Sequence, residues 1–319
     1  MKLKCAILDD YQQVALSMAD WSALGDRVEV FSIGQHFSDE AELAVHLQDC
    51  DILVIMRERT PITATLLARL PQLKLLITSG MRNASIDLAA AAQRGVIVSG
   101  TASGSAAPME LTWALLLGLA KHLLVENHGL RNNGPWQQAV GVTLQGKTLG
   151  LLGLGKIGSQ MAVVAQAFGM RVLAWSQNLT AERAAEVGVT LAASKQALFE
   201  QSDFVSVHLV LSERSRGLVG RPELRAMKKT AYLINTSRAA IVDRSALIDA
   251  LQQGQIAGAG LDVFEVEPLP SDDIFRQLPY VLATPHLGYV ADSNYQIYFR
   301  EAIENIEAFI AGVPLRQLA

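Results

Sequence analysis

The sequence predicts an α/β protein built from two doubly wound parallel-sheet units in succession. Three observations carry this expectation. Short apolar runs alternate with helical patterns twice over; a small-residue loop, "TASGSAAP" from Thr101 to Pro108, separates the two series; and 319 residues exceed one ordinary core, fitting two domains of roughly 100–200 residues each. Strands joined by crossover helices make a parallel sheet covered on both faces.

In the first series "LKCAIL", "RVEVFSI", "DILVIM", "LKLLIT" and "GVIVSG" read as strands, with "EAELAVHLQ" and "ASIDLAAAAQR" as helices between some of them. After the small-residue loop, "MELTWALLLGLAKHLLVEN" reads as one helix, apolar all round. Such a helix is buried: it is expected between two domains, with the core of one domain as the alternative. Past "RNNGPWQ" come six strand candidates, "KTLGLLGLG", "RVLAWS", "FVSVHLV", "AYLINTS", "AGAGLDVF" and "YVLATPHLG", and a terminal helix, "YQIYFREAIENIEAFIAG".

Half the residues are apolar and 18% are charged, a globular composition. A net charge of −4, with no Lys/Arg run interleaved with aromatics, argues against nucleic acid as a partner. The opening "MKLKCAILDDYQQ" reaches Asp9 and Asp10 after too short an apolar run for a signal peptide, and "LTWALLLGLAKHLLV" falls short of the roughly 20 residues of a membrane span. A cytoplasmic protein without a membrane partner is expected. Cys5 and Cys50 lie outside any CxxC and beside no His cluster, so both are expected in the core, with neither a disulfide framework nor a metal site.

"TLGLLGLGKIGSQMAVVAQAFG" places Gly153, Gly155 and Gly158 in G-x-G-x-x-G spacing, after an apolar strand and at the start of a helical pattern. Gly153 permits a tight turn, Gly155 carries no Cβ to obstruct a pyrophosphate, and Gly158 lets helix pack on strand. Amide groups at the helix start then face an anion, aided by the helix dipole. A dinucleotide is therefore the expected cofactor. The acid that would grip the adenosine ribose about 20 residues further on is missing. Ser176, in "WSQNLT", stands there instead.

Three polar signatures follow strands of the second series. "LINTSRAAIVD" presents Arg238, whose guanidinium can grip a carboxylate in two places, or simply end a strand at the surface. "GLDVFEVEP" carries Asp262 and Glu267, functional, paired, or serving a turn. "LATPHLGY" places His286 after a rigid proline, and histidine is the side chain best suited to exchange a proton near neutral pH. Four other histidines, His36, His46, His122 and His128, lack such company. Arg, Glu and His together supply an anchor, an orienting carboxylate and a general acid, the set that reduces a 2-keto acid by hydride transfer.

In this order the signatures closely resemble the D-isomer-specific 2-hydroxyacid dehydrogenase family. The resemblance runs from "MRERTPIT" and "SGMRNASIDLAAAAQRGV" through "GLGKIG", "VSVHLVLSERSRGLV", "MKKTAYLINTSRAAIVD" and "GLDVFEVEP" to "TPHLG". It implies Arg238, Glu267 and His286 as the catalytic residues. It implies cofactor contacts at Gly153, Gly155, Lys156, Ile157, Gly158, Ser176, Gln177, His208, Ser215, Thr236, Asp262 and Gly288, with Asp262 on the nicotinamide carboxamide. For the substrate carboxylate it implies the loop of Ser79, Gly80, Met81 and Arg82, with Arg57 facing the substrate as in some members.

The resemblance further implies a flavodoxin-like substrate domain, residues 1–100 plus 290–319, and a Rossmann NAD(P)-binding domain, residues 101–289, with the active site in the cleft. NAD is the expected cofactor, NADP the alternative; no metal is implied. Reversible reduction of a 2-keto acid to its D-2-hydroxy acid is the expected reaction, and a homodimer through the nucleotide domain, aided by the helix around residues 109–124, is the expected assembly. A nucleotide-sensing binding protein of the co-repressor type on the same scaffold is the rival from another class. The chain ends without the regulatory domain that some phosphoglycerate dehydrogenases append, so allosteric serine control is not expected. It departs from the family at Ala239 after the arginine, at Val210 in "HLV", at Met81-Arg82 in the substrate loop, and at Ser176.

Overall fold

In the computed structural model, which describes residues 2–318, the two alternating series form two parallel sheets. Met1 and Ala319, the outer ends of the expected substrate domain, lie outside the described residues. The first sheet holds β1 (Leu3–Ile7), β2 (Val28–Ser32), β3 (Ile52–Ile55), β4 (Leu75–Thr78) and β5 (Ile97–Gly100) in the order β2-β1-β3-β4-β5. Both β3 and β4 are buried at every position, which is why they read as unbroken apolar runs rather than alternating ones. Cover comes from α1 (Glu40–Leu47), α2 (Ala64–Ala68) and α3 (Leu88–Gln93), whose Leu43, Leu47, Leu66, Leu67 and Ala91 cluster with Leu53, Ile55 and Leu76. Each helix starts at a side-chain acceptor: Asp39 caps the Ala41 amide, Thr63 that of Leu66 and Asp87 that of Ala90.

The long apolar helix of the sequence is two helices, α4 (Ala106–Ala120) and α5 (Leu123–Arg131), bent by 65°. His122 takes a left-handed φ of 52° at the break. The returning chain sets the break: Val142 donates its N–H to the Ala120 carbonyl at 2.7 Å, and Lys121 Nζ reaches the Val142 carbonyl at 2.8 Å. No single helix among the described residues is long and apolar enough to cross a membrane.

The second sheet holds β6 (Thr148–Leu152), β7 (Arg171–Trp175), β8 (Thr190–Leu191), β9 (Phe204–Val207), β10 (Tyr232–Asn235), β11 (Gly258–Leu261) and β12 (Val281–Ala283). Its order, β12-β11-β10-β9-β6-β7-β8, reverses direction between β6 and β9. Six of these strands are the six expected; β8 has two residues, too few to leave a pattern.

On one face α4 and α6 (Lys156–Ala167) bring Trp113, Leu116, Met161 and Ala165 against Leu149, Leu151 and Ile234. Thus α4 serves as a core helix of its own unit, the alternative role the sequence left for it. The opposite face is covered by α8 (Lys195–Gln201), α9 (Arg221–Ala226) and α10 (Arg244–Gln252), which follow α7 (Ala181–Glu186) in the chain. There Leu198, Phe199, Leu224, Leu247 and Leu251 meet Val205, Val207 and Leu233.

The chain divides into two compact units, Met1–Gly104 with Ala291–Ala319, and Ser105–Val290. Residues 101–104 fall with the first because the terminal helix α11 (Asp292–Ile310) binds them. Cys5 and Cys50 are free and buried, as expected. Burial pushes both thiols up, that of Cys50 to about 11, so neither is a reactive thiolate near neutral pH.

Candidate active site

Strands β10, β11 and β12 are neighbours whose last residues pair in register, Asn235 with Leu261 and Leu261 with Ala283. Each strand then delivers its polar candidates from the same edge of the sheet, the edge where open α/β sheets bind ligands. After β10, Asn235 folds the turn that carries Arg238: its Nδ2 donates to the Arg238 carbonyl at 3.0 Å, and its Oδ1 accepts the Ser237 N–H at 3.1 Å. Ala239 opens a 3-10 turn, Ala239–Ile241, without positive φ, so the alanine is accommodated as expected.

After β11, Asp262 is wholly buried. Its Oδ1 accepts from Thr284 Oγ1 and the Leu287 N–H, both at 2.7 Å, and its Oδ2 accepts the Gly288 N–H at 2.8 Å. Burial pushes this carboxyl up from the ordinary range, while its three donors and the nearby His286 pull it back. The loop after β12 is thereby wrapped around one carboxylate, and His286 is held at a left-handed φ of 52°. Its Nδ1 lies 2.6 Å from Glu267 Oε2, and Glu267 Oε1 accepts the Phe264 N–H at 2.8 Å. With Glu267 ionised, Nδ1 carries the proton of that bond and Nε2 is left for chemistry. The ring of Tyr289 meets the imidazole edge-on at 5.1 Å.

The glycine loop lies at β6, beside the reversal of strand order. Gly153 has φ 106°, and a Cβ there would collide with the His208 carbonyl; one at Gly158 would collide with the Gly153 carbonyl. At Gly155 a Cβ would meet no atom of the described residues within 4 Å. That position is open where its two partner glycines are cramped. Gly155 also starts α6, with Lys156, Ile157 and Gly158 in the first turn, and no side chain caps this end among the described residues. Open space over uncapped amides at a helix N-terminus fits a pyrophosphate.

Beyond β7 the Ser176 carbonyl accepts the Leu179 N–H at 3.1 Å, turning the chain at Ser176 and Gln177 without an acid. Arg183 on α7 pairs with Glu186 at 2.8 Å and reaches Ser159 Oγ on α6 at 3.2 Å. Next to the glycine loop, His208 Nε2 bonds Ser206 Oγ at 2.8 Å, and burial pushes its pKa down to about 4. Ser215 Oγ donates to the Val210 carbonyl and accepts the Ser212 N–H, each at 2.8 Å, tying the loop that follows. Thr236 donates to Thr112 Oγ1 at 2.7 Å, since the Thr112 proton goes to the Pro108 carbonyl at 2.7 Å. Gly288 contributes its amide to Asp262 rather than facing outward.

The expected substrate loop belongs to the first unit, and Arg57 is packed on it: a Cβ at Gly80, φ 89°, would collide with Arg57 Nη1. Two of its four amides are engaged within the protein, Ser79 N–H with the Ile55 carbonyl at 3.1 Å and Gly80 N–H with Thr101 Oγ1 at 3.0 Å. Met81 and Arg82, the other two residues of the loop, are exposed. Sequence reasoning passed over Asn235, Thr101, Thr112 and Thr284. The one signal was position, since Asn235 ends β10 and Thr101 and Thr284 directly follow β5 and β12.

Residues 113–288 match the family model described as D-isomer specific 2-hydroxyacid dehydrogenase, NAD binding domain. The chain belongs to this family. Glyoxylate reductase of Aeropyrum pernix is 37% identical over 260 residues, 79% of this chain and 77% of that protein. D-3-phosphoglycerate dehydrogenase of Bacillus subtilis is 36% identical over 279 residues, 86% of this chain but 52% of that protein, so the chain spans about half the length of that relative. The crystal structure of a phosphoglycerate oxidoreductase from Vibrio cholerae superposes with a TM-score of 0.93 at 39% identity, covering 97% of this chain and 99% of that one. This member of the family is an NAD-binding oxidoreductase with the two-sheet architecture of its relatives.

The depressed pKa of His208 has a consequence for acid stability. Between the unfolded value near 6.5 and the folded value of about 4, the unfolded chain binds a proton that the folded chain does not, so stability falls as pH drops through this window. In urea titrations, His208→Asn is expected to lose about 1–3 kcal/mol less than the parent between pH 7 and pH 4.5. Parallel losses in the two proteins would show that His208 is charged in the native state.

Proposed function

We propose that this 2-hydroxyacid dehydrogenase interconverts a 2-keto acid and its D-2-hydroxy acid through Arg238, Glu267 and His286. The observation that carries this reading is the 2.6 Å contact of Glu267 with His286 Nδ1, on the loops next to the one presenting Arg238. The bound cofactor would supply the hydride for reduction as NADH and take it up in oxidation as NAD+. Arg238 grips the substrate carboxylate in two places and orients the carbonyl. His286 Nε2 gives its proton to the carbonyl oxygen, and the Glu267 carboxylate stabilises the ring before transfer and holds it in line afterwards. In oxidation the same nitrogen accepts the hydroxyl proton. The first unit is the substrate domain, contributing Arg57 and the amides of Met81 and Arg82. The second binds the nucleotide, its pyrophosphate over Gly155 and the start of α6. Without an acid at Ser176, discrimination between NAD and NADP is relaxed, NAD being preferred.

A homodimer through the second unit is the proposed assembly, with α5 and the segment after it, rather than α4, forming the surface. The apolar side chains of α4 are largely spent inside its own unit, whereas Leu123, Leu124, Leu130, Trp136 and Val140 are exposed, Trp136 to 80% and Val140 to 93%. They lie on α5 and on the chain after it, which the Glu126 carboxylate pins to that helix by accepting the N–H groups of Gln138 at 3.0 Å and Ala139 at 2.8 Å. So much exposed apolar surface in one place marks an interface. The buried free thiols suit a reducing compartment, and the cytoplasm is the proposed location.

His286→Ala should lower kcat by about 10²–10⁴ while NADH affinity stays within about twofold. The assay is NADH and NADPH oxidation with glyoxylate, hydroxypyruvate and other 2-keto acids, and NAD reduction with D-3-phosphoglycerate. Tight NADH binding without turnover on any of them would point to a nucleotide sensor. Gly155→Ala, whose Cβ meets no described atom within 4 Å, should leave the melting temperature unchanged yet weaken NADH binding at least about tenfold; equal binding by the two proteins would remove the pyrophosphate from this loop. Trp136→Glu should halve the mass seen by light scattering, and an unchanged dimer would place the interface elsewhere.

A further inference from the structure

Along α11 the residues Asn294, Tyr298, Glu301 and Asn305 recur at spacings of four, three and four, which puts them on one helix face. All four are buried. A core-facing stripe is ordinarily apolar, so each polar group here requires a partner. The partners are consecutive pieces of one strap of chain, residues 100–104. Asn294 Oδ1 accepts the Gly104 N–H at 2.9 Å, Tyr298 shares a hydrogen bond with Ser103 Oγ at 2.9 Å, Glu301 Oε2 accepts the Ala102 N–H at 2.7 Å, and Asn305 Nδ2 donates to the Gly100 carbonyl at 2.9 Å. Strap and helix run antiparallel, one side chain to each of these four strap residues.

Arg316, in the tail after α11, fixes the far end of the stripe. Its guanidinium donates to Asn305 Oδ1 at 3.0 Å, lies 3.2 Å from Glu301 Oε2 and pairs with Glu304, while its own carbonyl accepts the Gly100 N–H at 2.9 Å. On its other side the strap carries the loop of residues 79–82. Thr101 Oγ1 accepts the Gly80 N–H at 3.0 Å, and the Thr101 N–H returns to the Gly80 carbonyl at 3.4 Å. Gly100 lies so close beneath that a Cβ would come within 2.7 Å of the Gly80 carbonyl and 2.9 Å of Met81 Sδ. The loop rests on the strap, and the strap is bolted to the helix.

We infer that Asn305, Glu301 and Arg316, acting through Gly100, Thr101 and Ala102, are positioning residues for the substrate carboxylate: they set where the amides of Met81 and Arg82 stand. This rests on the reading of that loop as the carboxylate site. An apolar stripe would hold α11 in place equally well, by packing. It would not fix the strap residue by residue, because hydrogen bonds have direction and van der Waals contacts do not. Misplacing a carboxylate-binding loop by a fraction of an ångström weakens the grip on the substrate and leaves the nucleotide contacts of the other unit as they were.

The test compares Thr101→Val, Thr101→Ser, Asn305→Leu and Gly80→Ala for KM and kcat with the best 2-keto acid of the panel, NADH affinity by fluorescence, and melting temperature. Thr101→Val and Asn305→Leu are expected to raise KM at least about tenfold with NADH affinity unchanged within about twofold, and Thr101→Ser to restore the parent KM. Gly80→Ala, which drives a Cβ into Arg57, should raise KM whatever holds the strap. If it does so while Thr101→Val and Asn305→Leu leave KM at the parent value, the stripe is structural only and the inference fails. If Gly80→Ala also leaves KM unchanged, the loop does not bind the substrate, and the reading beneath the inference falls too. Should Thr101→Val and Asn305→Leu not fold, Arg316→Ala, at the partly exposed tail, replaces them: a raised KM supports the positioning role, and a KM at the parent value overturns it.

Discussion

The Asp262 carboxylate is the interaction on which the candidate active site depends. It is a buried charge with three donors, all from the loop after β12. Removing a carboxylate from water costs several kcal/mol, and a hydrogen bond to a charged group returns about 1.5–3 kcal/mol, so three of them bring the sum near balance. What the arrangement gains is geometry rather than stability. Thr284, Leu287 and Gly288 flank His286 on both sides, and with all three fixed the histidine between them stays in a left-handed backbone conformation, which costs of the order of 1 kcal/mol for a residue with a Cβ. Relaxation of that backbone would carry the imidazole away from Glu267.

The same carboxylate links catalysis to the architecture of the sheet. Parallel strands in register end at one level, and the loops after β10, β11 and β12 therefore bring Arg238, Glu267 and His286 to neighbouring places although 48 positions separate the first from the last. The glycine loop belongs to β6, three strand spacings from β11 in the order β11-β10-β9-β6. At about 4.8 Å per spacing this is roughly 14 Å. In the proposed reading a dinucleotide would cover that interval across the strand ends, with its pyrophosphate on α6 and its nicotinamide end toward the loops after β10, β11 and β12. His208 and Thr236, at the ends of the strands between, lie along this path. Neutral His208 adds no charge beneath it.

Most of this was legible because parallel strands covered on both faces leave unbroken apolar runs, and because each chemical residue lies within a few positions after one. Leu149–Leu152 announced Gly153, and Val281–Ala283 announced His286. Features determined by partners distant in the chain were not legible. Nothing near Met81 says that the amides of Ser79 and Gly80 are taken by Ile55 and Thr101. Nothing in "ALLLGLAKHLLVEN" says that Val142 ends the first helix at Ala120. The stripe on α11 was present as a pattern, Asn294, Tyr298, Glu301 and Asn305 at helical spacing, but polar residues at such spacing read as a solvated face until a buried strap is found against them.

The ribose end shows why one missing acid has limited consequences. A carboxylate after β7 would contribute hydrogen bonds to the ribose and repulsion toward a 2′-phosphate, and Ser176 removes both. In the proposed reading the pyrophosphate at the start of α6 and the nicotinamide end would carry most of the nucleotide affinity, and neither involves Ser176. A positive group that would reward the phosphate is not poised for it either: Arg183 spends its guanidinium on Glu186 and Ser159. That pair is exposed and worth at most about 1 kcal/mol, so drawing Arg183 away from it costs little. With repulsion gone and attraction weak, the electrostatic difference between the two dinucleotides is small. On the proposed reading selectivity would be a near-balance of two weak terms, with the glycine loop, common to both cofactors, supplying the binding.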